Sequence, residues 1–124
     1  MNANQDCADR PIHVMHLDPE PFEKIKSGEK TVELRLFDEK RAMIRPGDVV
    51  RFLRNGEPGT MIAEVTGVCR FKSFEELFAV ISPSICGYDS DESPERCAAV
   101  MARYYSPENQ AKYGAVGLAI RLTD

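Results

Sequence analysis

Residues 28–35 read Gly-Glu-Lys-Thr-Val-Glu-Leu-Arg and bring Lys30, Glu33 and Arg35 close together in the chain. On an extended strand, Glu33 and Arg35 share one face, while Val32, Leu34 and Leu36 share the other. Arg35 offers a planar fork that suits a phosphate or the edge of a base. Glu33 can accept hydrogen bonds from an exocyclic amine, as carboxylates do with cytosine. Lys30 stands at the turn where the strand begins, so strict alternation need not carry it away from Glu33. Its ammonium could hold an anion or be activated by burial. The same three side chains also make a structural ion-pair network. Both readings are compatible, because the charges of a binding site brace one another.

Other candidates lie on either side. Lys40 and Arg41, in Asp38-Glu39-Lys40-Arg41, could contact phosphate, although as a bare tetrapeptide this is ordinary solvated surface. His13 and His16 fall on opposite faces of a strand, so at most one faces a cleft there. Tyr113 supplies a ring on which a base could stack, worth about 1–3 kcal/mol per base, or which could plug the end of a barrel. Cys7, Cys69, Cys86 and Cys97 form no Cys-x-x-Cys pair, and structural zinc sites show close ligand pairs. They read as reduced thiols, and neither a metal nor a cofactor is expected.

The elements that position these residues follow from periodicity and caps. Ile12 to Leu17 reads as a strand, and Asp18-Pro19-Glu20-Pro21 opens a helix that turns Phe22 and Ile25 inward and stops at Gly28. Lys30 to Leu36 is the clearest alternation in the chain. Arg45-Pro46-Gly47-Asp48 fits a type II turn into a strand at Val49 to Leu53. Asn55-Gly56 turns the chain into a long strand from about Thr60 to Phe71. Ser73 with Glu76 is a capping box that opens a helix through about Val80. Ser82 to Glu92 reads as a loop. Ser93-Pro94 caps a helix with a stripe of Cys97, Val100, Met101, Tyr104 and Tyr105, which reads as core. Ser106-Pro107 is expected to end that helix, with a last strand from Ala115 to Leu122. The class is α+β: a small mixed β-barrel or half-barrel with two or three short helices. Two of those helices arrive consecutively, which speaks against a doubly wound sheet.

Composition sets the bounds. The chain has 124 residues, of which 43 % are hydrophobic and 29 % charged. One domain is expected over residues 12–124, preceded by a flexible leader at 1–11. The net charge of −4 makes strong non-specific binding to DNA unexpected, because phosphate neutralisation drives such binding. Residues 24–54 nevertheless carry nine basic and five acidic side chains. This local patch could hold a few phosphates or a small anion, or be a solvated face. No apolar run is long enough to span a bilayer, and the start of the chain lacks a secretory signal. A soluble cytoplasmic protein is expected.

The octapeptide has the form Gly-x-Lys-x-x-Glu-x-Arg and resembles the signature of the activating-signal-cointegrator homology (ASCH) family. The resemblance extends through His13, Met15 and Leu17, Pro21-Phe22, Ile25-Lys26-Ser27-Gly28, Asp38-Glu39-Lys40-Arg41, Gly47-Asp48 and Tyr113-Gly114-Ala115-Val116-Gly117. It therefore covers roughly residues 12–122. It implies a PUA-like barrel with a cleft beside the first helix and second strand, where RNA or a nucleotide binds.

Two functions of different kinds follow. The first is a binding module for RNA or a modified nucleoside, using Lys30, Glu33, Arg35, Lys40, Arg41 and Tyr113. The alternative is a hydrolase, with Lys30 and Glu33 catalytic. Some small ASCH proteins resemble amidohydrolases that deacetylate the exocyclic amine of acetylated cytidine, where a Lys acts with a Thr three residues on and a later Glu. Lys30 matches that Lys, but Glu33 stands at the Thr position, which departs from the pattern. Ribonuclease activity also occurs among ASCH proteins. A protein-interaction domain is a third reading and ranks last.

Overall fold

The structure is a computed structural model that describes residues 10–123. Most of the expected leader, and Cys7 with it, lies outside the described residues. The strands are β1 (Ile12–Leu17), β2 (Val32–Leu36), β3 (Val49–Arg54), β4 (Thr60–Phe71) and β5 (Ala115–Leu122). They form one sheet in the order β1-β3-β4-β5-β2. β1 and β3 are parallel, and the other pairs are antiparallel. The long β4 pairs with β3 through its first half and with β5 along most of its length, shifting register between Val65 and Gly67. A bulge of this kind increases local twist, so the sheet curls into a half-barrel with β1 and β2 as its two edges. Helix α1 (Pro19–Ser27) carries the chain from one edge to the other.

The concave face holds one apolar cluster, built on Met15, Leu17, Val50, Phe52, Val65, Val116 and Leu118 and closed by Phe22 and Ile25 of α1. The convex face holds a second. There Val32, Leu34 and Ala115 pack beneath Phe74, Leu77 and Phe78 of α2 (Phe74–Val80) and Cys97 and Met101 of α3 (Pro94–Tyr104). Gly117 makes this layer possible, since a Cβ there would lie 3.1 Å from Ile81 and 3.2 Å from Val32.

The structure holds four helices among its described residues, where two or three were expected. The fourth, α4 (Pro107–Tyr113), begins at the Ser106-Pro107 pair read in the sequence as a stop. Ser106 Oγ accepts from the Asn109 amide, and Pro107 occupies a first-turn position that needs no amide donor. A pair that ends one helix thus starts the next. Buried Gln110 locks the junction: its Oε1 accepts from the Phe74 amide and its Nε2 donates to the Tyr105 carbonyl. The segment 82–92 is also more ordered than a plain loop, with a 3-10 turn at Pro83–Cys86 that buries Cys86.

Candidate functional site

The apolar face of β2 is turned outward under the helices, so its polar face is the one that looks into the half-barrel. Glu33 lies opposite Leu118, and Arg35 opposite Val116, both on the concave side. Glu33 is therefore buried, with its side chain 4 % exposed against 11 % for Lys30 and 16 % for Arg35. A carboxylate at such depth requires partners. Lys30 Nζ lies 2.9 Å from its Oε1, and Arg35 Nε lies 2.7 Å from its Oε2. The arginine contact is a well-formed hydrogen bond. The lysine contact is close but poorly directed, so Oε1 lacks a well-aligned donor. Burial by itself would raise the pKa of Glu33; the charges of Lys30 and Arg35 and their donor contacts outweigh it and hold the carboxyl below its ordinary value.

Arg35 has a second task. Its Nη2 donates to the backbone carbonyl of His16 on β1 at 2.9 Å, so one guanidinium joins both edges of the sheet. Lys30 is held from above by the segment after α2. The Thr31 amide donates to the Ile85 carbonyl at 2.8 Å, and Lys24 Nζ donates to the Gly87 carbonyl at 2.7 Å. Gly87 has φ +98°, and a Cβ on it would lie 3.0 Å from Lys30 Cδ. The backbone passes directly over the lysine stem.

These contacts bound a cleft of about 440 Å³ between α1, β2, the 82–88 segment and the end of α3. Lys30, Glu33 and Arg35 line it together with Tyr88, Tyr104 and Tyr105. Tyr105 stacks on Phe74 with centroids 5.6 Å apart, and Tyr88 meets Phe78 edge-on. Tyr104 is 72 % exposed, which corrects its reading as core: the stripe of α3 buries Cys97 and Met101 but leaves Tyr104, the last residue of the helix, uncovered. Cys86 also lines the cleft, but burial pushes its thiol up to about 12 despite the nearby Lys30, so at neutral pH it offers no thiolate nucleophile.

The profile of the ASCH domain matches residues 15–124. The chain belongs to the ASCH domain family. Among solved structures, the domain resembles the crystal structure of the hypothetical protein PH0355, with a TM-score of 0.76 and 32 % identity over 91 % of this chain and all of that one. It resembles the solution structure of PF0455 from Pyrococcus furiosus with a TM-score of 0.70 and 32 % identity, covering 92 % of this chain and 99 % of that one. The crystal structure of ASCH from Zymomonas mobilis shares the fold at 16 % identity, with a TM-score of 0.65, covering 91 % of this chain and 68 % of that one. No curated protein matches the chain significantly.

This ASCH domain brings Lys30, Glu33 and Arg35 together and leaves Lys40, Arg41, Tyr113 and His13 apart from them. Arg41 is half-buried against Asp38, whose carboxylate accepts from both its amide and its guanidinium at 3.0 Å. Lys40 is exposed, and neither residue lines the cleft. Tyr113 lies on a different groove, formed with α2, α3 and α4. His16 lines the cleft, while His13 is bound to Asp48 at 2.9 Å. The sequence reading missed Lys24, Cys86, Gly87 and Tyr88. Nothing local marks the 86–88 segment as part of the site, because its approach to Lys30 depends on how α2 packs on the sheet. Among the described residues, no group of three His, Cys, Asp or Glu is placed to hold a metal ion, and no helix is long and apolar enough to cross a membrane.

Proposed function

We propose that this ASCH domain is a binding module whose cleft takes a single base of RNA, or a modified nucleoside. The observation that carries the reading is a buried carboxylate, Glu33, fixed between two cations in a cleft rimmed by tyrosines. Aromatic rims hold unstacked bases, and the polar groups beside them read the base edge. Buried Glu33 fixes Lys30 and Arg35 in place, and these two supply the donors. A nucleoside-sized ligand matches the cleft volume.

Hydrolysis is less well supported. Glu33 is engaged by two cations rather than poised beside an open nucleophile, and the thiol nearest Lys30 is held protonated. Titration of 15N-labelled protein with the four ribonucleosides and acetylated cytidine, followed by NMR and chromatography, separates the readings. Binding predicts saturable shifts at Lys30, Arg35 and Tyr88 with the ligand recovered intact. Release of acetate that Lys30→Ala abolishes would make the domain an amidohydrolase, and an absence of shifts with every nucleoside would remove the binding reading.

A further inference from the structure

A second groove, of about 1230 Å³, runs between α2, α3, α4 and the end of β4. It adjoins the concave face through Arg70. In the sheet register, Arg35 on β2 and Arg70 on β4 both pair with Val116, so the three stand in one row across β2, β5 and β4. Residues opposite one another in a sheet point to the same side, and strand spacing puts the two arginine Cα atoms roughly 10 Å apart.

Arg70 differs from the cations already described. Lys30, Arg35, Arg41 and Arg54 are each paired with a carboxylate. Arg70 has no carboxylate within ion-pair distance among the described residues. Its guanidinium is instead laid over the Phe37 ring, 4.6 Å from the centroid. Stacking of this kind holds the fork in place and leaves its N–H donors free, an arrangement suited to phosphate. Phe37 is anchored in turn, its amide donating to the Gly114 carbonyl at 2.9 Å. Lys72 and Lys112 share the groove with Arg70, also without a described carboxylate partner, and Lys112 Nζ sits 5.1 Å from the centroid of Tyr113. The groove's carboxylates, Glu75, Glu76 and Glu95, belong to the first turns of α2 and α3. There they complement the helix dipoles. Positive charge thus gathers on the β4 and α4 side.

We propose that Arg70, stacked on Phe37, forms with Lys72 and Lys112 a second subsite, which binds a phosphodiester of single-stranded RNA flanking the base held in the cleft. The inference rests on the binding reading above and extends it from one base to a short strand. Tyr113 provides the stacking face for the neighbouring base.

The test compares a ribonucleoside with a mixed-sequence tetraribonucleotide, using NMR shifts and fluorescence anisotropy over a range of salt concentrations. The tetranucleotide is expected to bind more tightly and to shift Arg70 and Tyr113 as well as Lys30 and Arg35. Arg70→Ala should weaken it roughly tenfold and lower the log–log salt slope by about 0.7, leaving nucleoside affinity unchanged. Arg70→Lys should recover the salt slope but only part of the affinity, because the stacked fork is lost. If the nucleoside shifts the cleft but added length and Arg70→Ala have no effect, the subsite is overturned and the cleft reading stands. Shifts confined to the groove would uphold the subsite and overturn the cleft reading. No binding of either ligand would overturn both.

Discussion

Arg35 and His16 lie on opposite edges of one curled sheet, and the guanidinium of the first donates to the backbone carbonyl of the second at 2.9 Å. No ladder hydrogen bonds pair β1 with β2, since the sheet runs from one to the other through three intervening strands. The same guanidinium holds Glu33 through Nε. A residue of the candidate site therefore also fastens the barrel seam, and the structural and ligand-binding readings of the motif describe one arrangement.

Replacing Arg35 tests that double role. Arg35→Ala leaves a buried carboxylate with one partner and the His16 carbonyl with none, and should cost about 3–5 kcal/mol in urea unfolding. Arg35→Lys retains a positive charge but cannot reach both partners with one planar group, so it should recover part of the stability. Its amides on β1 around Leu17 should still exchange faster than in the parent. Unchanged unfolding in Arg35→Ala would remove the seam argument.

Glu33 gives the fold an acid limit. Its carboxyl sits below its ordinary value of 4.5 because Lys30 and Arg35 outweigh the opposing effect of burial. A group whose pKa falls on folding binds fewer protons in the native state. Its stabilisation is therefore fully present above that ordinary value and is lost as pH drops through it toward the folded pKa. Urea midpoints should fall as pH drops through and below 4.5. Glu33→Gln should be less stable at neutral pH and show a flatter dependence over that window. Parallel pH curves for the two proteins would show that Glu33 is not the responsible group.

Thiol chemistry should separate the cysteines by position. Cys69 is exposed, whereas Cys86 and Cys97 are buried. Burial pushes both buried thiols upward, Cys86 to about 12. In a Cys7→Ser background, a disulfide reagent at pH 8 should label one thiol per chain rapidly and the other two only after denaturant is added. Rapid labelling of Cys86 in the native protein would mean that the 82–88 segment does not stay over Lys30.

Gly87 tests the same cover from the backbone side. Gly87→Ala must place a Cβ 3.0 Å from Lys30 Cδ at a φ of +98°, which costs about 1–2 kcal/mol from conformation alone. The variant should unfold earlier and bind nucleosides more weakly, with NMR shift changes centred on Lys30, Ile85 and Tyr88. Wild-type affinity would show that the position of this segment is irrelevant to the cleft.

Much of the strand and helix pattern is legible locally. The alternation of Val32, Leu34 and Leu36 against Glu33 and Arg35 identifies β2, and Ser73 with Glu76 marks the start of α2 through a cap whose 3.2 Å bond the structure contains. Where local signals failed, two outcomes shared one sequence. Ser-Pro is compatible with ending a helix or opening one, and the choice at Ser106 is made by Gln110 binding α2 and Tyr105 at once. Tyr104 matched the spacing of the α3 stripe, yet only packing against the sheet determines how far along the helix that stripe is covered.

Sequence alone carried the resemblance to the family; it also determined the five strands, the first three helices and the sharing of a strand face by Glu33 and Arg35, because these elements depend on residue spacing within a few positions. Tertiary structure decided which face of β2 is interior. The helices cover the apolar side, so a face that would ordinarily meet water was turned into the half-barrel, and Glu33 became a buried group that must be neutralised. It also brought Lys24, Gly87 and Tyr88 to Lys30, and set Arg70 in line with Arg35 across two strands. Such neighbours are joined by sheet register and helix packing, contacts between segments far apart in the chain, which no local spacing encodes.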